Sequence, residues 1–163
     1  MTVRGMLLVC DAAQADSDGR LYVLGAGSQV LPLPTPPHAL MVRLRLTPDE
    51  ALRPHEVRLA LLDGAGSPVL VPGPAMQATG PAAVPGAMSA QPLQLGQDLP
   101  ALALSAEDLP DWGPVAVPLV FNLGPGLPVR VGPHRWTLTV DGEVLDDAVL
   151  LFLEPAQDGA APG

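Results

Sequence analysis

The feature that most constrains this chain is the alternation of apolar and polar residues in short runs. His38 to Leu46 reads His-Ala-Leu-Met-Val-Arg-Leu-Arg-Leu. In an extended chain successive side chains point to opposite faces. Leu40, Val42, Leu44 and Leu46 then share one side, and Met41, Arg43 and Arg45 share the other. One face is expected to be buried and one wet. On a helix the same leucines would be smeared around the axis.

The pattern recurs. In His55–Asp63, Val57, Leu59 and Leu61 alternate with Glu56 and Arg58, and Asp63-Gly64-Ala65-Gly66 turns the chain into Val69-Leu70-Val71. In Val115–Leu123, Val115, Val117, Leu119, Phe121 and Leu123 share a face, and Pro118 opposite them argues for a sheet edge or a bulge. Trp136, Leu138 and Val140 form the inner face of a strand. Asp141-Gly142 follows, a pair suited to the positive φ of a two-residue hairpin turn. The return strand runs from Glu143 to Val149-Leu150-Leu151-Phe152-Leu153. Arg4–Asp11 and Arg20–Gly25 are apolar on consecutive positions. That predicts central strands covered on both faces over part of their length, joined through Asp16-Ser17-Asp18-Gly19.

Proline adds a second constraint. With 21 prolines and 17 glycines in 163 residues, long helices are excluded and short strands joined by loops are favoured. The stretch from about 72 to 114 is rich in Pro, Ala, Gly and Gln, and reads as a loop insertion. It has room for short strands at Ala75–Thr79 and Pro92–Leu95 and a helical turn at Ala106–Leu109 capped by Ser105. The tail from Pro155 to Gly163 is expected to be disordered. The expected fold is all-β: a two-layer antiparallel β-sandwich, immunoglobulin-like or a related Greek key, of about seven or eight strands in one domain over residues 1–154. A closed barrel is the alternative.

Charge limits the partners. There is no lysine, eight arginines face 17 carboxylates, and the net charge is −9. No basic cluster is visible along the chain, so neither nucleic acid nor an anionic membrane is an expected partner. Arg4, the apolar run after it and Ala13-Gln14-Ala15 loosely mimic a secretory signal, but Asp11 interrupts a stretch that is already short. A strand starting at residue 4 explains the same residues. No run approaches the ~18 apolar residues of a membrane span. The expected location is the cytoplasm. Cys10, the single cysteine, has no partner for an internal disulfide and reads as a small buried hydrophobe.

Few residues invite chemistry. His38, His55 and His134 stand at or near strand starts without metal spacing, and read as edge or loop histidines. Asp16-Ser17-Asp18-Gly19 resembles the front of a calcium loop, but Arg20 and Leu21 follow where ligands are needed, so a turn is expected. A looser calcium site would draw on Asp11, Asp63 or Asp141 at one end of the fold. Asp146 and Asp147 are adjacent and so face opposite sides of a strand, unless a bulge intervenes. No Gly-x-Ser-x-Gly elbow exists, and Gly25-Ala26-Gly27 lacks the rest of a dinucleotide fingerprint. Pro32, Pro34, Pro36 and Pro37 form a PxxP-like stretch that reads as a rigid connection. Trp112, in the proline-rich region, reads as a loop plug or a contact residue. No catalytic, cofactor-binding or metal residue is assigned. The expectation is a non-enzymatic interaction or structural module that pairs with an unknown protein or with itself. A small-ligand or calcium-binding sandwich using its end loops is the alternative, and an enzyme of unknown class comes third.

The opening Leu7-Leu8-Val9-Cys10-Asp11-Ala12-Ala13-Gln14 and the following Asp18-Gly19-Arg20-Leu21-Tyr22-Val23-Leu24-Gly25 are similar to an uncharacterised bacterial family of short all-β proteins. Pro118 to Leu123 and the hairpin from Trp136 through Asp141-Gly142-Glu143 resemble its C-terminal half. The resemblance skips residues 72–114, and after Gly27 this chain has Ser28-Gln29 where that family leads one to expect an aromatic. It implies an all-β fold and a bacterial origin, and carries no activity.

Overall fold

The computed structural model describes residues 3–74, 88–102 and 113–155. In chain order its elements are β1 (Arg4–Cys10), β2 (Ala12–Ala15), β3 (Leu21–Leu24), β4 (Val30–Pro32), β5 (His38–Leu46), α1 (Pro48–Ala51), β6 (His55–Asp63), β7 (Leu70–Pro74), β8 (Met88–Pro92), β9 (Gln94–Leu99), β10 (Val115–Leu123), β11 (Gly132–Val140) and β12 (Glu143–Leu153). The all-β expectation holds. The twelve strands of the described residues exceed the seven or eight read from the sequence, because several are too short to show a period.

Two sheets share the core. One has the order β1-β5-β10 and the other β4-β12-β11-β6-β9; β2-β3 and β7-β8 form separate two-stranded ribbons. The alternating residues of β5, β6 and β11 supply the buried set: Leu40, Val42, Leu44, Val57, Leu59, Leu61, Trp136, Leu138 and Val140 are all fully buried. With Leu7, Leu119, Leu150 and Phe152 they form one apolar cluster drawn from both sheets. The hydrophobic effect therefore acts on the faces that period-two reading had marked. Pro118 lies on β10, an outermost strand of its sheet, where a missing N–H costs no ladder bond. One pair departs from the antiparallel expectation: β4 runs parallel to β12, with Leu151 opposite Val30.

Four expectations need correction. First, β1 is an edge strand, and β3 is largely exposed, with Tyr22 and Leu24 open to solvent. Their consecutive apolar residues reflect a ribbon folded over the first sheet, not a central position. Second, the ribbon covers Met41, which had been placed on the wet face; Cys10, Ala39 and Met41 form a second apolar cluster with Leu8, Ala13, Leu21 and Val120 against it. Third, the stretch read as a loop insertion holds β8 and β9, and β9 joins the five-stranded sheet on β6. The Pro92–Leu95 strand is split at Leu93, while Ala75–Thr79, Ala106–Leu109 with Ser105, Trp112 and residues 156–163 lie outside the described residues. Fourth, a short helix was overlooked. Thr47 caps α1 by accepting the Glu50 N–H on Oγ1, and Pro48 opens the first turn. The Thr-Pro-Asp-Glu order is a helix-start signature.

The two sheets are tied where β1 passes β12. The β11–β12 pairing steps from Leu138 opposite Asp146 to Thr139 opposite Val144, which leaves Leu145 as the extra residue of a bulge. That bulge lets the Asp146 carboxylate accept the Leu7 backbone N–H at 2.7 Å. On the far side Gly27 donates to the Val9 carbonyl at 2.9 Å, and Leu151 donates to the Gln29 carbonyl at 2.7 Å. The segment after Gly27, where the chain departs from the expected aromatic, is thus a strap across the seam.

Candidate functional site

The polar side chains that sequence reading singled out mostly end on backbone. Asp16 accepts the N–H groups of Asp18 and Arg20 on one carboxylate oxygen, and Asp63 does the same for Ala65 and Ser67. Both are aspartate-closed turns. Asp146 holds Leu7 as described and also accepts the Asp147 N–H, while Asp147 pairs with Arg135 at 3.4 Å. Among the described residues no group of three or more His, Cys, Asp or Glu side chains is gathered around a point that could hold a metal ion. Asp11, Asp63 and Asp141 are not brought together as a calcium site would need.

All three histidines are buried rather than at edges or in loops. Strand starts here carry the chain into the core, which is why the positions were right and the exposure wrong. The His38 Nδ1 faces the Pro36 carbonyl at 2.9 Å, and its Nε2 has no partner among the described residues. The His134 ring packs edge-on against Phe152 with centroids 5.0 Å apart. Cys10 is fully buried with Sγ directed at the Ala39 carbonyl; burial first, and then the Asp11 charge, push its thiol pKa up. A raised pKa disfavours the reactive thiolate. Thr35, inside the proline stretch, is buried and accepts the Leu127 N–H at 2.7 Å, as a rigid connection requires.

His55 is the most elaborately held polar residue. Its Nδ1 lies 2.7 Å from Asp141 Oδ2 and its Nε2 lies 2.8 Å from the Glu50 carbonyl. A carboxylate and a carbonyl can only accept, so both bonds are satisfied only by a doubly protonated ring. Burial alone would lower the pKa. The Asp141 hydrogen bond, the Glu50 carbonyl and the charges of both acids outweigh it and raise the pKa above its ordinary 6.5. Burial likewise works against the Asp141 anion, but the Glu56 N–H, the His55 bond and charge and the Arg53 charge hold its pKa below the usual value. Asp141 also sits at φ 50 in the turn, with Gly142 at φ 82. One residue therefore makes the hairpin and clamps it to the start of β6 through Glu56 N–H at 2.8 Å. Both nitrogens of His55 are spent on protein acceptors, so neither is poised for a proton transfer to a substrate.

Two open surfaces stand out among the described residues. The outer face of β12 is apolar at three successive outward positions, Val149, Leu151 and Leu153, which are 49 %, 38 % and 42 % exposed. Val30 on β4, 53 % exposed, and Pro133 on β11 lie directly beside Leu151. The other is the outer face of the three-stranded sheet, where β1 and β5 bring Arg4 opposite Arg45 and Met6 opposite Arg43. Sequence reading saw Arg43 and Arg45 on one wet face but found no basic cluster, because Arg4 joins them only through strand pairing.

The chain is thus an all-β protein whose described interior polar groups serve its own turns and seams. Over residues 5–151 the chain matches DUF6941, a family of unknown function, and belongs to it. The match runs through the middle region that the first resemblance left aside. No curated protein matches the chain. No helix of the described residues is long and apolar enough to cross a membrane.

Proposed function

We propose that the chain is a non-enzymatic binding module that associates with a second copy of itself through the apolar band where β12 meets β4. The observation that carries this is the exposure of Val149, Leu151 and Leu153 on alternate positions of one strand, flush with Val30. A solvated sheet face is ordinarily polar at such positions, and a contiguous exposed apolar patch marks an interaction surface. Charge favours a like partner at this place. The molecule carries −9, so two copies repel, but Arg135 and Asp147, two of the charges beside the band, neutralise each other. An apolar patch is also self-complementary under a twofold axis. The non-enzymatic part of the reading is supported by the pinning of His55 on the Asp141 carboxylate and the Glu50 carbonyl, and of Asp141 and Asp63 on backbone N–H groups. A lone thiol with no disulfide partner fits the cytoplasm.

Sedimentation velocity over a range of protein concentrations tests the proposal. The expected result is a concentration-dependent dimer that Leu151→Glu converts to a monomer with an unchanged melting temperature. A native chain that stays monomeric at every concentration, or a Leu151→Glu variant that dimerises equally well, would overturn it.

A further inference from the structure

We infer that the arginine face of the three-stranded sheet binds a small organic anion, one with a carboxylate or phosphate head and an apolar body. The first observation is an electrostatic conflict. Arg4 and Arg45 are direct cross-strand partners, and Arg43 lies two residues from Arg45 on the same outer face. Like charges directly opposite each other destabilise a sheet. The chain has 17 carboxylates for eight arginines, so acids for pairing are abundant. Arg53, Arg58 and Arg135 are all paired with acids, yet among the described residues none of Arg4, Arg43 and Arg45 makes an ion pair or hydrogen bond. Three arginines thus share one sheet face of an acidic molecule with no neutralising partner among the described residues.

The second observation is a cleft at the end of this face. It is an open cleft of about 670 Å³ lined by Arg4 and Arg45 with Val3, Thr47, Pro48 and Pro114. That volume suits a small molecule. Guanidinium groups bind carboxylate and phosphate through paired, charge-assisted hydrogen bonds. Val3 and the two prolines offer the ligand's body an apolar wall. Of the two acids on α1, Glu50 faces Arg53 at 3.4 Å and His55 at 3.8 Å, and Asp49 makes no ion pair among the described residues. The site stands on the other sheet from the β12 band, and its test is independent of self-association.

Isothermal titration with hexyl phosphate, inorganic phosphate and hexanol provides the experiment, with Arg130→Gln as a control on a distant unpaired arginine. Saturable binding of hexyl phosphate is expected, stronger than either fragment, unchanged in Arg130→Gln. In the Arg4→Gln/Arg45→Gln variant it should weaken by about tenfold or more, the order set by loss of one charge-assisted bond. Arg4→Glu separates binding from folding. It places an acid opposite Arg45, so the melting temperature should rise while hexyl phosphate binding disappears. Three results would each overturn the inference: no saturable heat with hexyl phosphate, equal affinity in the double variant, or tighter binding of a polyglutamate peptide, which would give the face to an acidic protein.

Discussion

At the scale of single residues, the informative group is the His55–Asp141 pair. Its contribution to stability depends on pH from both sides. The His55 pKa is raised in the folded state, so its contribution is complete below the unfolded value of 6.5 and is lost as pH rises through the raised one. The Asp141 pKa is lowered, so its contribution is complete above the unfolded value of 3.8 and is lost as pH falls through the lowered one. Asn tolerates positive φ and still accepts a hydrogen bond, so Asp141→Asn removes mainly the charge. The melting-temperature gap between native protein and Asp141→Asn should be widest between pH 3.8 and 6.5 and should narrow on either side. A gap that is flat across pH would show that the ring is neutral. Trp136 gives a second residue-scale expectation. Its indole N–H is fully buried without a partner among the described residues. An orphaned donor costs about 1–3 kcal/mol, so Trp136→Phe should lose less stability in urea titration than its lost volume implies.

At the scale of elements, the seam between β1 and β12 sets the relation of the two sheets. A Cβ on Gly5 would stand 2.8 Å from Leu138 Cδ2 and 3.2 Å from Leu145, both fixed by the core and the bulge. Gly5→Ala should therefore destabilise by about 1–3 kcal/mol, as overpacking does, while an alanine at solvent-facing Gly124 should change little. Urea titration of both variants checks this. The long strands were legible in the sequence because their alternation is strict: β5, β6 and β10 begin and end where the period does, and the Asp141-Gly142 turn announces its hairpin. The short elements were not. β4 has three residues, which no period can reveal. β9 hides inside a Pro, Gly and Gln-rich stretch. α1 carries the signature of Thr47 and Glu50, but its single turn of four residues is too short to show a helical period. The clamp on His55 and the arginine face were illegible for another reason. Residue 55 meets 141, and residue 4 meets 45, only once the pairing order is known.

For the whole molecule, net charge makes the two open surfaces respond oppositely to salt. Association of two chains of charge −9 through an apolar band should strengthen as added salt screens their repulsion. Anion binding to three guanidinium groups should weaken under the same change. Sedimentation and calorimetry from low to about 0.5 M sodium chloride, where the Debye length falls well below 10 Å, would show the two trends diverging. Parallel trends would mean that one surface has been misread.

The ribbon lying over Cys10 has a practical corollary. The only sulfhydryl of the protein is sealed beneath β2 and β3, so a thiol reagent such as dithionitrobenzoate reacts only when that flap lifts. Its rate at trace denaturant should track local opening and run faster than global unfolding, making the native molecule a clock for its own breathing with no label introduced.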